Sequence, residues 1–285
     1  MTAGPKSPHM SDDPLQVSKD RPAVMRVYHS RRHATIASVA TVAVLVLIIA
    51  VLAQRAHART TYKWDFSIVP HYLPVLLRGV RLTLELTFGC MATGMVLGIL
   101  VASARMSRIA PLRWATALYI DVMRSTPLLI QLVWLFYSLP ILLGLTIPGI
   151  PAAVVALTLH MGAYYGEAFR AGIQSIPRVQ LEAADVLGLS TIQRMRFVVL
   201  PQAFRNVLPV LVTLGILLFK DTSLVSVIGL NDLMNAGQNI ALTTYRPLEL
   251  FTTVGLIYFI LVLPATMAMR KLEVRLSRHQ AASAA

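Results

Sequence analysis

Two pairs of ionisable residues interrupt the apolar runs of this sequence, and they are the first candidates for chemistry. Glu167 and Arg170 are three residues apart near the end of one run, and Lys220 and Asp221 are adjacent within another. Residues three apart lie on one face of a helix, so the first pair can bond internally or can offer a carboxylate and a guanidinium to a polar solute. Ionisable groups at membrane depth are costly and often functional. We therefore predict a substrate pathway that includes four polar residues, namely Glu167, Arg170, Gln131 and Asn206.

A structural interpretation competes with this one. The members of each pair can neutralise each other, or extend to the membrane interface, and so fix how helices pack. Lys220 and Asp221 suit this role better, because hydroxyl groups follow them and can satisfy backbone groups where a membrane helix breaks. Glycines four residues apart also let helices approach closely. The residues predicted to act in helix packing are Gly94, Gly98, Gly162, Gly166, Lys220 and Asp221.

The sequence contains no catalytic motif. A phosphate-binding loop requires Gly-x-x-x-x-Gly-Lys-Ser/Thr, and the nearest match, Gly89 and Gly94 followed by Met95 and Val96, lacks the lysine and the hydroxyl. The seven histidines are scattered without metal-ligand spacing, and the single cysteine, Cys90, excludes an intrachain disulfide. We therefore expect no metal, no cofactor and no enzymatic activity in this chain.

Composition places the chain in a lipid bilayer. Of its 285 residues, 56% are hydrophobic and only 14% are charged, whereas soluble domains carry about a quarter charged residues. The net charge of +13 does not indicate nucleic-acid binding here, because the basic residues cluster beside apolar runs, as they do where charge sets membrane orientation. The prediction is an all-α polytopic membrane protein.

The apolar runs predict about six transmembrane helices, each close to the 20 or so residues that a span requires. Residues 1–33 form a polar, basic tail, and the first span, within 34–54, has an alternative as a cleaved signal peptide with Ala56-His57-Ala58 at the cleavage site. Residues 55–78 are expected on the outer side. The other spans are predicted at 82–104, 117–139, 152–172, 206–230 and 250–269, with a hairpin turn rich in proline and glycine between the third and fourth.

The basic residues indicate which side is cytoplasmic. With the N-terminus inside, the inner segments hold 19 of the 26 Lys and Arg residues. Five basic residues close to the first two spans oppose this bias, namely Arg55, Arg59, Lys63, Arg78 and Arg81. The excess of Lys and Arg in the inner segments predicts a multi-pass protein with both termini in the cytoplasm.

The longest inner loop, 173–205, has the signals of two short helices. Ser175 and Pro177 suit a helix start, and Gly188 suits the left-handed residue that ends one. Ser190-Thr-Ile-Gln193 has the pattern of a capping box, and Pro201 is expected to end or kink the second helix. The exposed apolar residues of this loop predict a protein partner that covers them; they are Val186, Leu187, Leu189 and Ile192.

Five segments carry a family resemblance in this order: YIDVMRSTPLLIQL (119–132), GAYYGEAFRAGIQSIP (162–177), QLEAADVLGLS (180–190), VVLPQAFRNVLP (198–209) and KDTSL (220–224). From about Gly79 to Leu276 the chain resembles the membrane subunit of a binding-protein-dependent ABC importer of the polar amino-acid (histidine/glutamine-type) permease family. Two residues depart from the family pattern. Ser125 stands where glycine usually precedes Thr-Pro, and Val179 where glycine usually precedes Gln180.

The resemblance implies a type I ABC importer transmembrane domain over residues 79–276, with a coupling loop at 175–201 and a C-terminal tail at 277–285. It implies a coupling helix that docks on a separate ATPase subunit through Glu182, Ala183, Ala184, Asp185, Leu187, Gly188 and Leu189. The implied partners are two ATPase copies inside, a solute-binding protein outside, and a second permease, identical or sibling, in the bacterial inner membrane. The implied function is ATP-driven import of an amino acid or similar polar solute by alternating access. The alternatives are a secondary transporter driven by an ion gradient and a non-transporting sensor or scaffold.

Overall fold

The computed structural model describes residues 62–282 and six helical positions between Val44 and Gln54. The predicted tail 1–33 and most of the first predicted span therefore lie outside the described residues. Residues 1–64 and 65–285 form two separate units, and the account below concerns the second.

Within the second unit every described element is helical. A 3-10 turn, Phe66–Ile68, precedes the first helix, and a 3-10 segment, Thr222–Ile228, lies before the last two helices. The α-helices are α1 (Val69–Arg105), α2 (Ala110–Ser125), α3 (Leu128–Val133), α4 (Leu139–Leu143), α5 (Gly149–Gln174), α6 (Arg178–Val186), α7 (Thr191–Arg194), α8 (Leu200–Asp221), α9 (Leu233–Thr244) and α10 (Pro247–Ala282). Two π-helical segments, Trp134–Ser138 and Met195–Val199, join α3 to α4 and α7 to α8.

Helices α1 and α5 form the centre of the molecule and run parallel. Thr93 bonds to Thr158 (2.7 Å between hydroxyl oxygens), and further along both helices Gly98 lies against Tyr165. The parallel arrangement places the C-terminal ends of α1 and α5 at one face of the protein, which also carries α6 and α7. We call this side the loop face.

Glycine makes the α1–α5 contact close. A Cβ built on Gly94 or Gly98 would meet Met161 or Tyr165, and one built on Gly162 or Gly166 would meet Leu97 or Val101. The four glycines predicted to act in packing thus lie in one interface, two on each helix. A small-residue pattern on both partners lets the backbones approach as they do in membrane helix pairs.

The predicted span at 117–139 is not one straight helix. The chain bends by 106° between α2 and the helical stretch from Leu128 to Leu143. Thr126, which precedes Pro127, is extended (φ −107°, ψ 139°). The residue before a proline is disfavoured in the helical region, because the proline ring clashes with its backbone, and the bend follows from that restriction.

The predicted spans at 82–104, 152–172, 206–230 and 250–269 fall largely on helices. Three described stretches are long and apolar enough to cross a membrane, namely Phe66–Arg105, Thr191–Ile228 and Pro247–Met269, and the bent pair makes a possible fourth. Helix α5, which contains the predicted span 152–172, is 26 residues long but is not among these stretches. It packs against α1, α2, α3 and α8. The all-α polytopic fold is confirmed, while the described residues show fewer apolar spans than the six predicted.

The second helix predicted in the inner loop is longer than expected. Of the two alternatives at Pro201, an end or a kink, the structure excludes the end, because α7 continues through the π-helical segment into α8. Pro201, which lacks an N–H, lies in the first turn of α8, directly after the π-helical segment. There the N–H of Leu200 donates to the carbonyl of Met195, so a π-helical turn stands where the proline interrupts the regular hydrogen-bond pattern.

Candidate functional site

The loop face projects a rigid turn between α6 and α7. Helix α6 ends at Gly188, whose φ of +70° is the left-handed conformation that glycine adopts without strain. The N–H of Leu189 donates to the carbonyl of Ala184 (3.1 Å), and that of Gly188 donates to Asp185 (3.0 Å). This is the Schellman pattern of bonds, and it confirms the helix end predicted at Gly188.

The start of α7 is confirmed as well. The backbone N–H of Ser190 donates to Gln193 Oε1 (2.9 Å), and the backbone N–H of Gln193 donates to the Ser190 hydroxyl (3.3 Å). Arg194 Nη1 then donates to both carboxylate oxygens of Asp185 (2.5 and 2.8 Å). Cap and ion pair together hold α7 against α6 across the turn.

One side of α6 packs against residues near the end of α5 and the start of α8. Leu181 packs against a buried cluster of Ile176, Val199 and Ala203, and Ala184, one turn further, is buried at 2% exposure. Ser175, which was expected to begin α6, instead ends α5, and α6 starts after Pro177. The anchored side fixes the direction in which the rest of the loop points.

The other side of the loop is apolar and uncovered. Val186 is 88% exposed, Leu187 77% and Ile192 79%. Three large aliphatic side chains grouped at a capped turn form a surface of the kind that a partner protein covers. Of the predicted coupling residues, the exposed ones are Glu182, Ala183, Asp185, Leu187 and Gly188, while Leu189 is half-buried and Ala184 faces the body.

The ionisable pair on α5 is bonded internally. Arg170 Nε donates to Glu167 Oε2 (2.9 Å), a second guanidinium nitrogen donates to Glu167 Oε1, and Arg170 also reaches Gln174. Both charged side chains remain partly exposed. The two groups neutralise each other in this conformation, and each keeps a part of its side chain exposed.

The other two predicted pathway residues bond to protein groups. Gln131 donates to the carbonyls of Met123 (2.9 Å) and Thr126 (3.0 Å), and its Oε1 is 3.0 Å from His160 Nδ1. This amide satisfies backbone groups freed by the bend between α2 and α3, as a broken membrane helix requires. Asn206 donates to the Ser175 hydroxyl (3.0 Å) and joins the end of α5 to α8 at the loop face.

Lys220 and Asp221 lie where α8 ends. Neither forms a salt bridge within the part of the chain that the structure describes, so they do not pair with each other. The hydroxyls of Thr222 and Ser223 donate to the carbonyls of Phe219 and Lys220 (2.7 Å each). These bonds satisfy the last turn of α8 before the 3-10 segment begins.

Sequence reasoning did not identify two buried carboxylates at the opposite face. Asp232 is fully buried and accepts from the backbone N–H groups of Met234 (3.2 Å) and Asn235 (3.0 Å), so it caps α9. Burial raises the pKa of the Asp232 carboxyl above its usual range, although these bonds oppose the shift. Glu249, also fully buried, accepts from the backbone N–H of Asp65 (2.9 Å). The aspartate directly before a helical pattern was an available signal for the first of them.

Comparison with known proteins identifies the family. The family of binding-protein-dependent transport system inner membrane components matches residues 94–278. The arginine transport system permease protein ArtQ of Bacillus subtilis is 39% identical over 212 residues, which are 74% of this chain and 97% of that protein. The glutamate/aspartate import permease protein GltK of Escherichia coli is 38% identical over 75% of this chain and 99% of that protein.

Solved structures agree. The crystal structure of an amino acid ABC transporter with histidines superposes with a TM-score of 0.72 at 36% identity, over 75% of this chain and all of that one. The inward-facing MetNI methionine ABC transporter gives a TM-score of 0.59 at 26% identity, over 71% of this chain and 96% of that one. These matches favour neither a secondary transporter nor a membrane sensor. The chain therefore belongs to the family of binding-protein-dependent transport system inner membrane components, as a permease subunit of an ABC importer.

Proposed function

We propose that this permease imports a polar amino acid across the cytoplasmic membrane by alternating access. Two copies of a separate ATPase subunit would dock on the loop face, and a solute-binding protein would deliver the amino acid from outside. The permease would pair with a second copy or a sibling chain. The related permeases serve arginine and glutamate or aspartate, which supports an amino acid as the solute but does not fix its side chain.

The observation that carries the proposal is the exposed apolar surface at Val186, Leu187 and Ile192. Because α6 and α7 are held by a glycine turn, a capping box and an ion pair, the surface is preformed rather than ordered on binding. Preformed apolar surfaces bind partners at a lower entropic cost. The N-terminus and this loop would both be cytoplasmic, in line with the distribution of basic residues.

For the solute path we propose Glu167 and Arg170 as the first contacts, with Gln131 and Asn206 as supporting polar groups. An amino acid carries one carboxylate and one ammonium group, and the α5 pair offers the complementary charge to each. When the solute binds, the bidentate contact between Glu167 and Arg170 would break. Each of the two side chains would then form a charge-assisted bond to the solute. Glu167→Gln should raise the KM for uptake while ATP hydrolysis by the complex remains.

The test of the loop is Gly188→Asp, with Gly144→Asp as its matched control. Both glycines have positive φ, +70° and +65°, and a Cβ on either meets no atom within 4 Å. Each substitution therefore carries the same backbone cost of roughly 1 kcal/mol. Only Gly188 lies on the loop face, so only its aspartate would meet a docked ATPase.

The measurement uses the full chain purified with its ATPase, reconstituted in liposomes with the binding protein, and a panel of polar amino acids. We expect Gly144→Asp to keep both uptake and the stimulation of ATP hydrolysis by the loaded binding protein. Gly188→Asp should insert normally but lose both activities. Wild-type uptake by Gly188→Asp would show that this loop is only a connector.

A further inference from the structure

We propose that the corner between α1 and α2 is a binding site for an anionic phospholipid. The acyl chain would lie in a groove between these helices, and the headgroup would bind Arg105, Arg108 and Arg113. The site lies on the loop face and shares no residue with the apolar turn of α6 and α7.

The groove has the composition and the depth for an acyl chain. Its volume is about 340 Å³, and it is open to the surroundings along α1. It is lined by Leu97, Leu100, Val101 and Ala104 of α1, with Ala115, Thr116 and Tyr119 of α2 and Leu159 of α5. From Leu97 to Ala104 an α-helix rises about 10 Å. That is about two-thirds of one leaflet's hydrocarbon thickness of roughly 15 Å.

Helix α2 starts at the end of α1, at the loop face. Arg105 Nη1 donates to the carbonyl of Arg113 (3.5 Å), which places the start of α2 at the end of α1. Further along α2, Ile120 packs with Val101 and Ala163, and the guanidinium of Arg124 lies 5.4 Å from the centre of the Tyr164 ring. Helix α2 therefore begins at the loop face and packs along the C-terminal part of α1 and against the middle of α5.

The uncovered side of α2 is suited to lipid. Trp114 is 70% exposed, and Leu118 and Val122 follow it at four-residue intervals on the same helix face, also exposed. Tryptophan is favoured at the level of the lipid headgroups. An amphipathic helix with this apolar face and basic residues at its edge is typical of attachment to an anionic membrane surface.

The headgroup end of the groove is positively charged. Within the described residues, Arg105, Arg108 and Arg113 form no salt bridge with a carboxylate. Asp121 is the acidic residue of α2, two turns beyond Arg113. A cluster of guanidinium groups beside an apolar groove at a membrane surface favours an anionic over a zwitterionic phospholipid.

The test uses Trp114 as the reporter. In the full chain, Trp64→Phe and Trp134→Phe leave Trp114 as the single tryptophan. The protein is reconstituted in phosphatidylcholine vesicles that contain a minor fraction of brominated phosphatidylglycerol or brominated phosphatidylcholine, and the quenching of Trp114 gives the relative binding of each. We expect phosphatidylglycerol to bind at least about fivefold more tightly, which is the effect of one basic side chain near an anionic surface, about 1 kcal/mol.

The triple variant R105Q/R108Q/R113Q should lose this preference. The matched control R178Q/R196Q/R205Q removes three charges from elsewhere on the same face and should keep it. Ala104→Phe fills the groove and should reduce the preference with all arginines present, while Ser103→Phe, an exposed residue outside the groove lining, should not. Arg108 is exposed, so its substitution should not disturb folding. If the triple variant does not fold, the single variant Arg108→Gln still measures how far the lipid preference depends on this charge.

Four results would overturn the proposal. The first is equal quenching by the two lipids in the parent protein, and the second is an equal loss in both triple variants, which would indicate diffuse charge. The third is full competition by inorganic phosphate, which would indicate a site for small anions. The fourth is loss of the copurifying ATPase from the R105Q/R108Q/R113Q variant with its lipid preference intact, which would indicate a protein contact.

Discussion

Gly98→Ala should separate the two central helices, and the structure gives the size of the effect. A Cβ on Gly98 would lie 2.5 Å from the Cβ of Tyr165 and 3.0 Å from the backbone nitrogen of Gly166. Carbon atoms in contact prefer about 3.5–4.0 Å. Since the obstructing atoms belong to or adjoin the α5 backbone, no side-chain rotation removes the clash. Helices α1 and α5 must move apart by about 1 Å, and their fully buried contact around Tyr165 must loosen.

The cost is the difference between two opposite effects. Overpacking a well-packed contact costs about 1–3 kcal/mol, and alanine gains about 0.5–1 kcal/mol over glycine inside a helix. Gly98→Ala should therefore lower the free energy of unfolding by up to about 2.5 kcal/mol. Gly89→Ala is the matched control on the same helix, because a Cβ there meets no atom within 4 Å. It should be neutral or stabilising.

The assay is thermal unfolding of the full purified chain in detergent, followed by size-exclusion chromatography of the heated samples. A change of 1 kcal/mol shifts the midpoint by about 2–4 °C in domains of 150–250 residues. We expect Gly98→Ala to unfold a few degrees below Gly89→Ala. If Gly98→Ala is as stable as Gly89→Ala, glycine does not set the distance between the two helices.

Three further predictions concern other polar positions. Asp232→Ala, which removes the cap of α9, should cost about 1–2 kcal/mol in thermal unfolding, and Asp232→Asn, which keeps the acceptor, should cost little. Burial raises the pKa of the Asp232 carboxyl above its usual 3.8, so the folded state holds this proton more tightly than the unfolded state. Wild-type stability should therefore fall as the pH rises above about 4, and it should fall by more than that of Asp232→Asn; equal pH profiles would contradict this. Gln131→Leu should lower the free energy of unfolding by about 1–3 kcal/mol, because it leaves His160 Nδ1 and the freed carbonyls at the bend unpaired. Its control, Gln202→Leu, removes a single bond within one helix and should lower the free energy of unfolding by less in the same assay. Lys220→Ala should reduce the amount of assembled transporter in the membrane without changing which solute is taken up; a changed solute preference at normal assembly would show a role in selectivity.

The loop face was largely predictable because its signals are local. Gly188 ends α6 and Ser190 with Gln193 caps α7, and each of these features depends on backbone geometry within a few residues. The exposure of Val186, Leu187 and Ile192 follows from the short amphipathic helices that carry them. The sequence left open whether Pro201 ends or kinks the second helix, because a proline can do either, and the π-helical turn through which α7 continues into α8 was not predicted.

The bend between α2 and α3 was missed for a different reason. Hydropathy is continuous across it, so the apolar run alone predicts a straight span, although Thr126-Pro127 provides a signal for extended backbone. The pairing of Gln131 with His160 joins residues 29 apart in sequence and depends on how α3 packs on α5. The burial of Asp232 and Glu249 likewise depends on tertiary contacts, which no local pattern indicates.

The contacts at the loop face determine how a displacement there can travel. Helix α6 follows α5 directly and leads through α7 into α8, so a partner that moves the loop pulls on both helices. The two are joined at this end by Asn206 and Ser175, and Gly172 lies so close to Val207 that a Cβ there would overlap its side chain. Helix α5 is in turn locked to α1 by glycines on both sides of the contact. Close-packed interfaces transmit motion by shifting as units rather than by deforming. Movement of the loop should therefore carry α1, α5 and α8 together, while α9, held by Asp232 against Gly79 at the far end of α1, moves with them at the opposite face.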